Sequence, residues 1–202
     1  AVFIALLFTI FCSDDRTTLL FIGDLPGFYG LGRIVLEGHG DRLYDFDLQR
    51  DIQNRFWPAL NQTFFPTMYP PFVALVMAPL ACIPPVPLRF LVGVGELVIL
   101  VQAVRTMAAD RLLQRFALIF FSVPIFISIV GVQNTVISIG VLVVARQLIS
   151  SRKLFIAGVV TGLLFYKPQV GLIVSLFLAI NAGGRFLGGV ALSVVSQYLI
   201  GC

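Results

Sequence analysis

The chain has 202 residues, 58% of them hydrophobic and 12% charged, with a mean hydropathy of +0.98. Soluble domains carry roughly a quarter charged residues, so this composition excludes a soluble globular domain and describes an integral membrane protein. Eight of the ten acids lie between Ser13 and Pro70, giving that stretch a net charge of −3 and the rest of the chain +7. No basic cluster with interleaved aromatics accompanies the pI of 9.3, so nucleic acid is not expected as a partner.

In chain order, Ala1–Cys12 is an apolar run with no basic region before it and no small-residue cleavage site. It reads as the end of a first span whose start is missing, and the chain as a fragment of a longer protein. Residues 13–70 follow as one large polar loop. Within it Gly27–Leu36 carries Phe28, Leu31, Ile34 and Val35 at helical spacing, and Asp47–Trp57 forms a second helical pattern ended by Pro58. Both are short, and both are expected to lie along the membrane face. Gly38-His39-Gly40-Asp41, which holds the only histidine, reads as a turn.

Spanning helices need about 20 apolar residues. Phe72–Ile83 is shorter and is bounded by Pro70-Pro71 and Pro84-Pro85, so residues 71–83 read as a short interfacial or re-entrant helix. Residues 88–202 then supply about six spans: Leu88–Val104, Phe116–Val130, Thr135–Ile149, Leu154–Tyr166, Val170–Ile180 and a truncated one from Phe186. Arg105, Arg111 and Arg115 fill one connection, Arg152 and Lys153 a second, and Arg185 marks a third. Basic loops gather on the cytoplasmic side. The acidic 13–70 loop and the connections at Gly131–Asn134 and Lys167–Gln169 then fall outside. The expectation is a single all-α transmembrane domain over 1–202. Cys12, Cys82 and Cys202 sit in apolar runs without metal-ligand spacing and read as buried apolar residues.

Polar residues at helix ends on the outer side are the places for chemistry. Asp24 follows the apolar run Leu19-Leu20-Phe21-Ile22. Near the bilayer, desolvation raises a carboxylate's pKa and suits a general base. It is also placed to cap the Gly27 helix, and the residues alone favour the cap. Lys167, in Tyr166-Lys167-Pro168-Gln169, either meets a phosphate or snorkels to the interface. Gln133-Asn134 is either a sugar-binding pair or a turn. Glu96 lies mid-helix, where an acid is either functional or protonated and bonded to a neighbouring helix. Asn61-Gln62-Thr63 matches a glycosylation triplet, a pattern common by chance.

A longer pattern joins these pieces. Gly23-Asp24-Leu25-Pro26-Gly27-Phe28-Tyr29 is followed by Gly32-Arg33, Leu36-Glu37-Gly38 and Leu43-Tyr44-Asp45. Then come Tyr69-Pro70-Pro71-Phe72, Pro79-Leu80, Gly131-Val132-Gln133-Asn134, Ala157-Gly158 and Lys167-Pro168-Gln169. In order and spacing, from about Leu20 to about Leu172, the chain resembles glycosyltransferase family 87. This is a bacterial group of the GT-C superfamily that includes polyprenyl-phosphate-mannose-dependent mannosyltransferases. One departure stands out: the family's Gly-Gln-Asn is here Gly-Val-Gln-Asn.

The resemblance implies a multi-spanning GT-C helical bundle in the inner (plasma) membrane, with its active site on the extracytoplasmic face. The donor would be a polyprenyl-phosphate sugar, the sugar a hexose such as mannose, and the acceptor a lipid or glycan. Membrane lipids would be the other partners. Asp24 matches the acidic residue of the first outer loop that serves as general base. Lys167, Gln169, Gln133, Asn134, Tyr29 and Arg33 match positions toward the substrates, with Lys167 and an arginine such as Arg33 or Arg89 meeting charge on the leaving phosphate. Direct displacement implies inversion. One carboxylate suffices for this, whereas a metal would want more acids, and Asp41, Asp45 and Asp47 read as turn residues; neither metal nor cofactor is expected. The rival classes are a membrane transporter, which calls for inverted repeats and mid-membrane ionisable groups, and a non-enzymatic envelope-polysaccharide assembly protein.

Overall fold

The computed structural model describes residues 23–61, 64–107 and 131–201 and the single positions 125 and 128. The expected run Ala1–Cys12, most of the span Phe116–Val130, the residues Arg111 and Arg115, the cysteines Cys12 and Cys202 and part of the Asn61 triplet lie outside them. Every regular element among the described residues is helical. They are α1 (Leu25–Leu36), α2 (Phe46–Phe56), α3 (Pro71–Leu80), α4 (Pro85–Met107), α5 (Thr135–Ser150), α6 (Leu154–Gly162) and α7 (Pro168–Gly201). Short 3-10 turns lie at Gly40–Arg42, Pro58–Leu60 and Leu163–Tyr166. The chain divides into two compact units, one holding the described residues up to 68 and from 76 to 136, the other 69–75 and 137–201.

In the first unit, α1 begins with Pro26 in its first turn, where a missing N–H costs nothing. It ends in a Schellman turn. Gly38 takes φ +79, its N–H donates to the Val35 carbonyl, and the His39 N–H reaches the Ile34 carbonyl. The expected Gly38–Asp41 turn is thus the helix terminator. Asp45 caps α2, its carboxylate accepting from the Asp47 and Leu48 N–H groups at 3.0 and 3.2 Å while Arg42 pairs with it at 2.6 Å. These bonds, with Arg42 first, hold the Asp45 carboxyl below its usual pKa.

α2 carries two fully buried glutamines one turn apart, and they act as a substitute strand. The Gln53 amide donates to the Phe65 carbonyl at 2.9 Å and accepts the Phe65 N–H at 2.8 Å. Gln49 treats Thr67 the same way, at 2.9 Å each, and also donates to the Leu43 carbonyl at 2.9 Å. Backbone outside helix and sheet has no regular partner for its N–H and carbonyl groups, and a primary amide offers both a donor and an acceptor. The peptide groups of residues 65 and 67 thus meet an i, i+4 pair on one face of the helix. Around this clamp pack Leu25, Tyr29, Trp57, Leu60, Ala81, Leu88 and Val132, the core of the unit.

Glu37 ties α1 to α2. It accepts from Arg33 at 2.9 and 3.2 Å and from Arg55 at 2.9 and 3.0 Å. Burial raises this carboxyl, but the arginine bonds outweigh it and leave the pKa below 4.5.

In the second unit α5 ends with Arg152 at φ +58, Lys153 N–H bonding back to the Leu148 carbonyl. That tight turn leaves Arg152 and Lys153 exposed. α6 and α7 pack so closely that a Cβ on Gly158 would come within 2.0 Å of the Phe186 carbonyl oxygen, and one on Gly189 within 2.0 Å of that of Phe155. α7 is not one straight rod. Gly171 lies against Phe165, and Gln197 Nε2 donates to the Gly162 carbonyl. A straight helix from Gly171 to Gln197 would be about 39 Å long, yet Gly162 and Phe165 lie within one turn of each other. The chain reverses at Gly183, which has φ +71 and ψ −167. The two expected segments, Val170–Ile180 and that from Phe186, are the two arms. The break falls just before Arg185.

Among the described residues one unbroken helix, Pro85–Thr106, is long and apolar enough to cross a bilayer, with a hydropathy of 1.7; Pro168–Ile200, with a hydropathy of 1.8, reaches that length only with its two arms counted together. Phe90, Leu91, Val94 and Val98 on the first, and Ile173, Phe177 and Ile180 on the second, are exposed. Such apolar faces suit lipid and would be a liability in water. One expectation is corrected. Cys82 is exposed, not buried. Ala81 turns into the core at the end of α3, so its neighbour in the turn points away.

Two outcomes test this account. Gln53→Leu strands the Phe65 N–H and carbonyl and should destabilise the protein by about 2 kcal/mol or more, read as a fall in Tm in detergent; an unchanged Tm would dismiss the clamp. Because folding lowers the Glu37 pKa, its stabilisation is complete above about pH 4.5 and fades as pH falls through the lowered folded value. Thermal melts between about pH 6 and pH 3 should therefore show an acid loss that Glu37→Gln reduces.

Candidate functional site

Asp24 stands just before α1, at its N-cap position, with helical backbone angles of φ −88 and ψ −5 and no side-chain capping bond. The capping role favoured by the residues alone is therefore not what its carboxylate does. An N-cap residue needs extended angles to fold its side chain back onto the helix N–H groups. Asp45 has them, at φ −75 and ψ +109, and caps; Asp24 does not.

The backbone fixes Asp24 instead. Its N–H donates to the Gly131 carbonyl at 3.0 Å. Gly23, at φ +127, lies so close to Gly131 that a Cβ would sit 1.6 Å from that oxygen. The contact brings Asp24 to the turn Gly131-Val132-Gln133-Asn134, uniting three residues that the sequence singled out. Val132 holds φ +49, a costly conformation for a β-branched side chain. Its side chain is buried in the core. On the far side the Gln133 N–H donates to the Ser128 carbonyl at 2.8 Å, and Ser128 Oγ donates to the Gln133 carbonyl at 2.9 Å. Asn134 is buried at 7% exposure and Gln133 is half-buried. The turn reading and the binding reading are thus compatible: the residues form a turn, and a rigid one.

Other expected residues are placed differently. Tyr29 is 2% exposed, with edge-on rings of Phe56 and Trp57 at 4.9 and 5.3 Å. Burial pushes its phenol pKa up, against the pull of Arg33. Arg33 pairs with Glu37 and lies 5.1 Å from the Phe56 ring centre, so its charge is already compensated. Glu96 is 2% exposed on the face of α4 that carries Leu88, Leu100 and Ala103, and neither carboxyl oxygen has a hydrogen bond. Of the two readings of this acid, the bond to a neighbouring helix is not made among the described residues. Among the described residues no three His, Cys, Asp or Glu side chains cluster as metal ligands.

In the second unit Lys167 is half-buried and follows the 3-10 turn, with Gln169 exposed in the first turn of α7. The Lys167 carbonyl accepts from Val170 and Gly171, and its N–H donates to Leu164. Beside it are residues the sequence reading did not single out as a site. Tyr166 shares a 2.5 Å hydrogen bond with Ser138, and the Tyr69 ring lies 6.1 Å from that of Tyr166. The signal was present in two tyrosines at helix-flanking prolines, Tyr69-Pro70 and Tyr166-Lys167-Pro168. For Ser128 no local signal existed.

Residues 67–202 match the family model of glycosyltransferase family 87. The chain belongs to that family and is a membrane glycosyltransferase, acting on a sugar donor and an acceptor. The match takes in Gln133, Asn134, Lys167 and Gln169 and begins after Asp24, Tyr29 and Arg33. Among curated proteins and solved structures, none matches.

Gly23→Ala should lower stability by about 1–3 kcal/mol, since the new Cβ must push the backbone off Gly131 and leave a strained φ. Hydrogen exchange at the Asp24 amide should rise with it. Exchange equal to the parent's would show that the Gly23–Gly131 contact does not hold Asp24.

Proposed function

We propose that this chain transfers a hexose such as mannose from a polyprenyl-phosphate donor to a hydroxyl of a lipid or glycan acceptor. Asp24 serves as general base. The observation that carries this is the contrast between two aspartates before two helices. Asp45 caps, whereas Asp24 is anchored through its peptide and offers no cap. An acid positioned by backbone and withheld from the helix suits proton transfer.

The chemistry follows from the donor. The acceptor hydroxyl loses its proton to Asp24 while its oxygen bonds to the anomeric carbon. The bond from that carbon to the phosphate oxygen breaks, and polyprenyl phosphate leaves with the electron pair. Attack opposite the leaving group inverts the anomeric centre. Gln133 and Asn134, on the rigid turn beside Asp24, are assigned to sugar or acceptor hydroxyls. Lys167 is assigned to the phosphate and Gln169 to a supporting polar contact. Arg33, already paired with Glu37, supports α1 and α2, and Tyr29 supports them through the aromatic core.

The same reading places the chain as a multi-pass GT-C bundle of the inner membrane. Its 13–70 loop lies outside, and residues 105–115 and 150–153 inside, on the charge asymmetry of the sequence. The unbonded Glu96 is the one feature that suits a transporter; family membership weighs against that class.

Asp24→Asn in the full-length protein separates the roles. With radiolabelled polyprenyl-phosphate mannose in membranes, transfer should fall by about 10²–10⁴, while Tm stays near the parent's. A mutant that transfers mannose at the parental rate would falsify the base assignment.

A further inference from the structure

We propose that Tyr69, Tyr166 and Lys167 form a subsite for a hexose bonded to a phosphate, the rings meeting the sugar and the ammonium meeting the phosphate. The inference rests on the donor class proposed above and names residues for its sugar, to which no tyrosine of this unit has so far been assigned.

Separate pieces of the second unit build the cluster. Tyr69 precedes α3, with Pro70 between them, and Tyr166 ends the 3-10 turn. Ser138, near the start of α5, fixes the Tyr166 ring through the 2.5 Å bond between their hydroxyls. The Tyr69 ring is 6.1 Å away and tilted by 37°. The rings are in contact without being stacked flat, and both side chains are half-buried. Part of each side chain is therefore exposed.

Lys167 Nζ lies 5.9 Å from the Tyr166 ring centre, at the outer edge of a cation–π contact. Among the described residues it makes no ion pair. Its backbone is held on both sides, by Leu164 and by the first turn of α7, so the side chain is the part able to respond to a ligand. A phosphate oxygen would give the ammonium a charge-assisted bond.

The chemistry of a hexosyl phosphate matches both parts. One face of a hexose presents C–H bonds with a slight positive charge, which complement the negative face of an aromatic ring. The phosphate attached at the anomeric carbon carries the negative charge. A bare phosphate would satisfy Lys167 and leave the tyrosines without purpose; a bare sugar would do the reverse.

The test measures binding rather than turnover, with the full-length protein in lipid nanodiscs and two radiolabelled probes, polyprenyl-phosphate mannose and sugar-free polyprenyl phosphate. Lys167→Gln should weaken both about tenfold. Tyr69→Leu should weaken only the mannose-bearing probe, by about fivefold to tenfold, and Tyr69→Phe should restore it. Binding of the sugar-free probe doubles as the control for folding. A Tyr69→Leu protein that binds both probes like the parent, or loses both equally, would overturn the subsite. A parent that binds neither probe would remove the donor class itself, and the subsite with it.

Discussion

The peptide bond between Gly23 and Asp24 lies against the carbonyl of Gly131, and the first unit is organised around that contact. Only a residue without a Cβ allows the approach, and only a positive φ aims the next N–H at the carbonyl. The consequence extends in both directions. On one side it sets where α1 begins. On the other it holds a turn whose Val132 sits in a conformation that valine avoids. Strain of this kind persists only where surrounding structure over-determines it. Here the Ser128 bonds and the burial of Val132 in the core do so.

The glutamine clamp solves a different problem with the same logic. Residues 64–70 belong to no regular element, and among the described residues there is no strand for them to pair with. Gln49 and Gln53 supply the missing donors and acceptors from a helix face, and Gly30 leaves room for Gln53 on α1. A buried network is safe only when its groups are satisfied, and these amides meet two peptides in reciprocal pairs. Glu96 is the counterexample: a carboxyl on an apolar stripe with no hydrogen-bond partner among the described residues.

Much of the helical plan was legible because it depends on local rules. Gly27–Leu36, Asp47–Trp57 and Phe72–Ile83 lie within a few residues of α1, α2 and α3, since prolines, glycines and apolar spacing act over single turns. The reversal near Arg185 was legible for the same reason, Gly183-Gly184 being unable to sustain a helix cheaply. The candidate site was legible in part. Asp24, Gln133-Asn134 and Lys167 stood out as polar residues at apolar borders. Tyr29 and Arg33 were named only through the resemblance; Tyr29 is in the core against Phe56 and Trp57, far along the chain, and Arg33 pairs with Glu37 one turn on.

The sequence by itself determined that this is a helical membrane protein, since hydropathy and charge depend on residue types alone, and its motifs carried the family. Tertiary structure alone decided that Asp45 caps while Asp24 does not, that Cys82 points away from the core, and that Ser128 locks the turn beside Gln133. Each of these turns on a backbone angle or on a partner far along the chain. Asp is the same residue at 24 and 45; the difference lies in its own ψ, −5 at 24, where the carbonyl accepts from Phe28 N–H in the first helical turn, and +109 at 45.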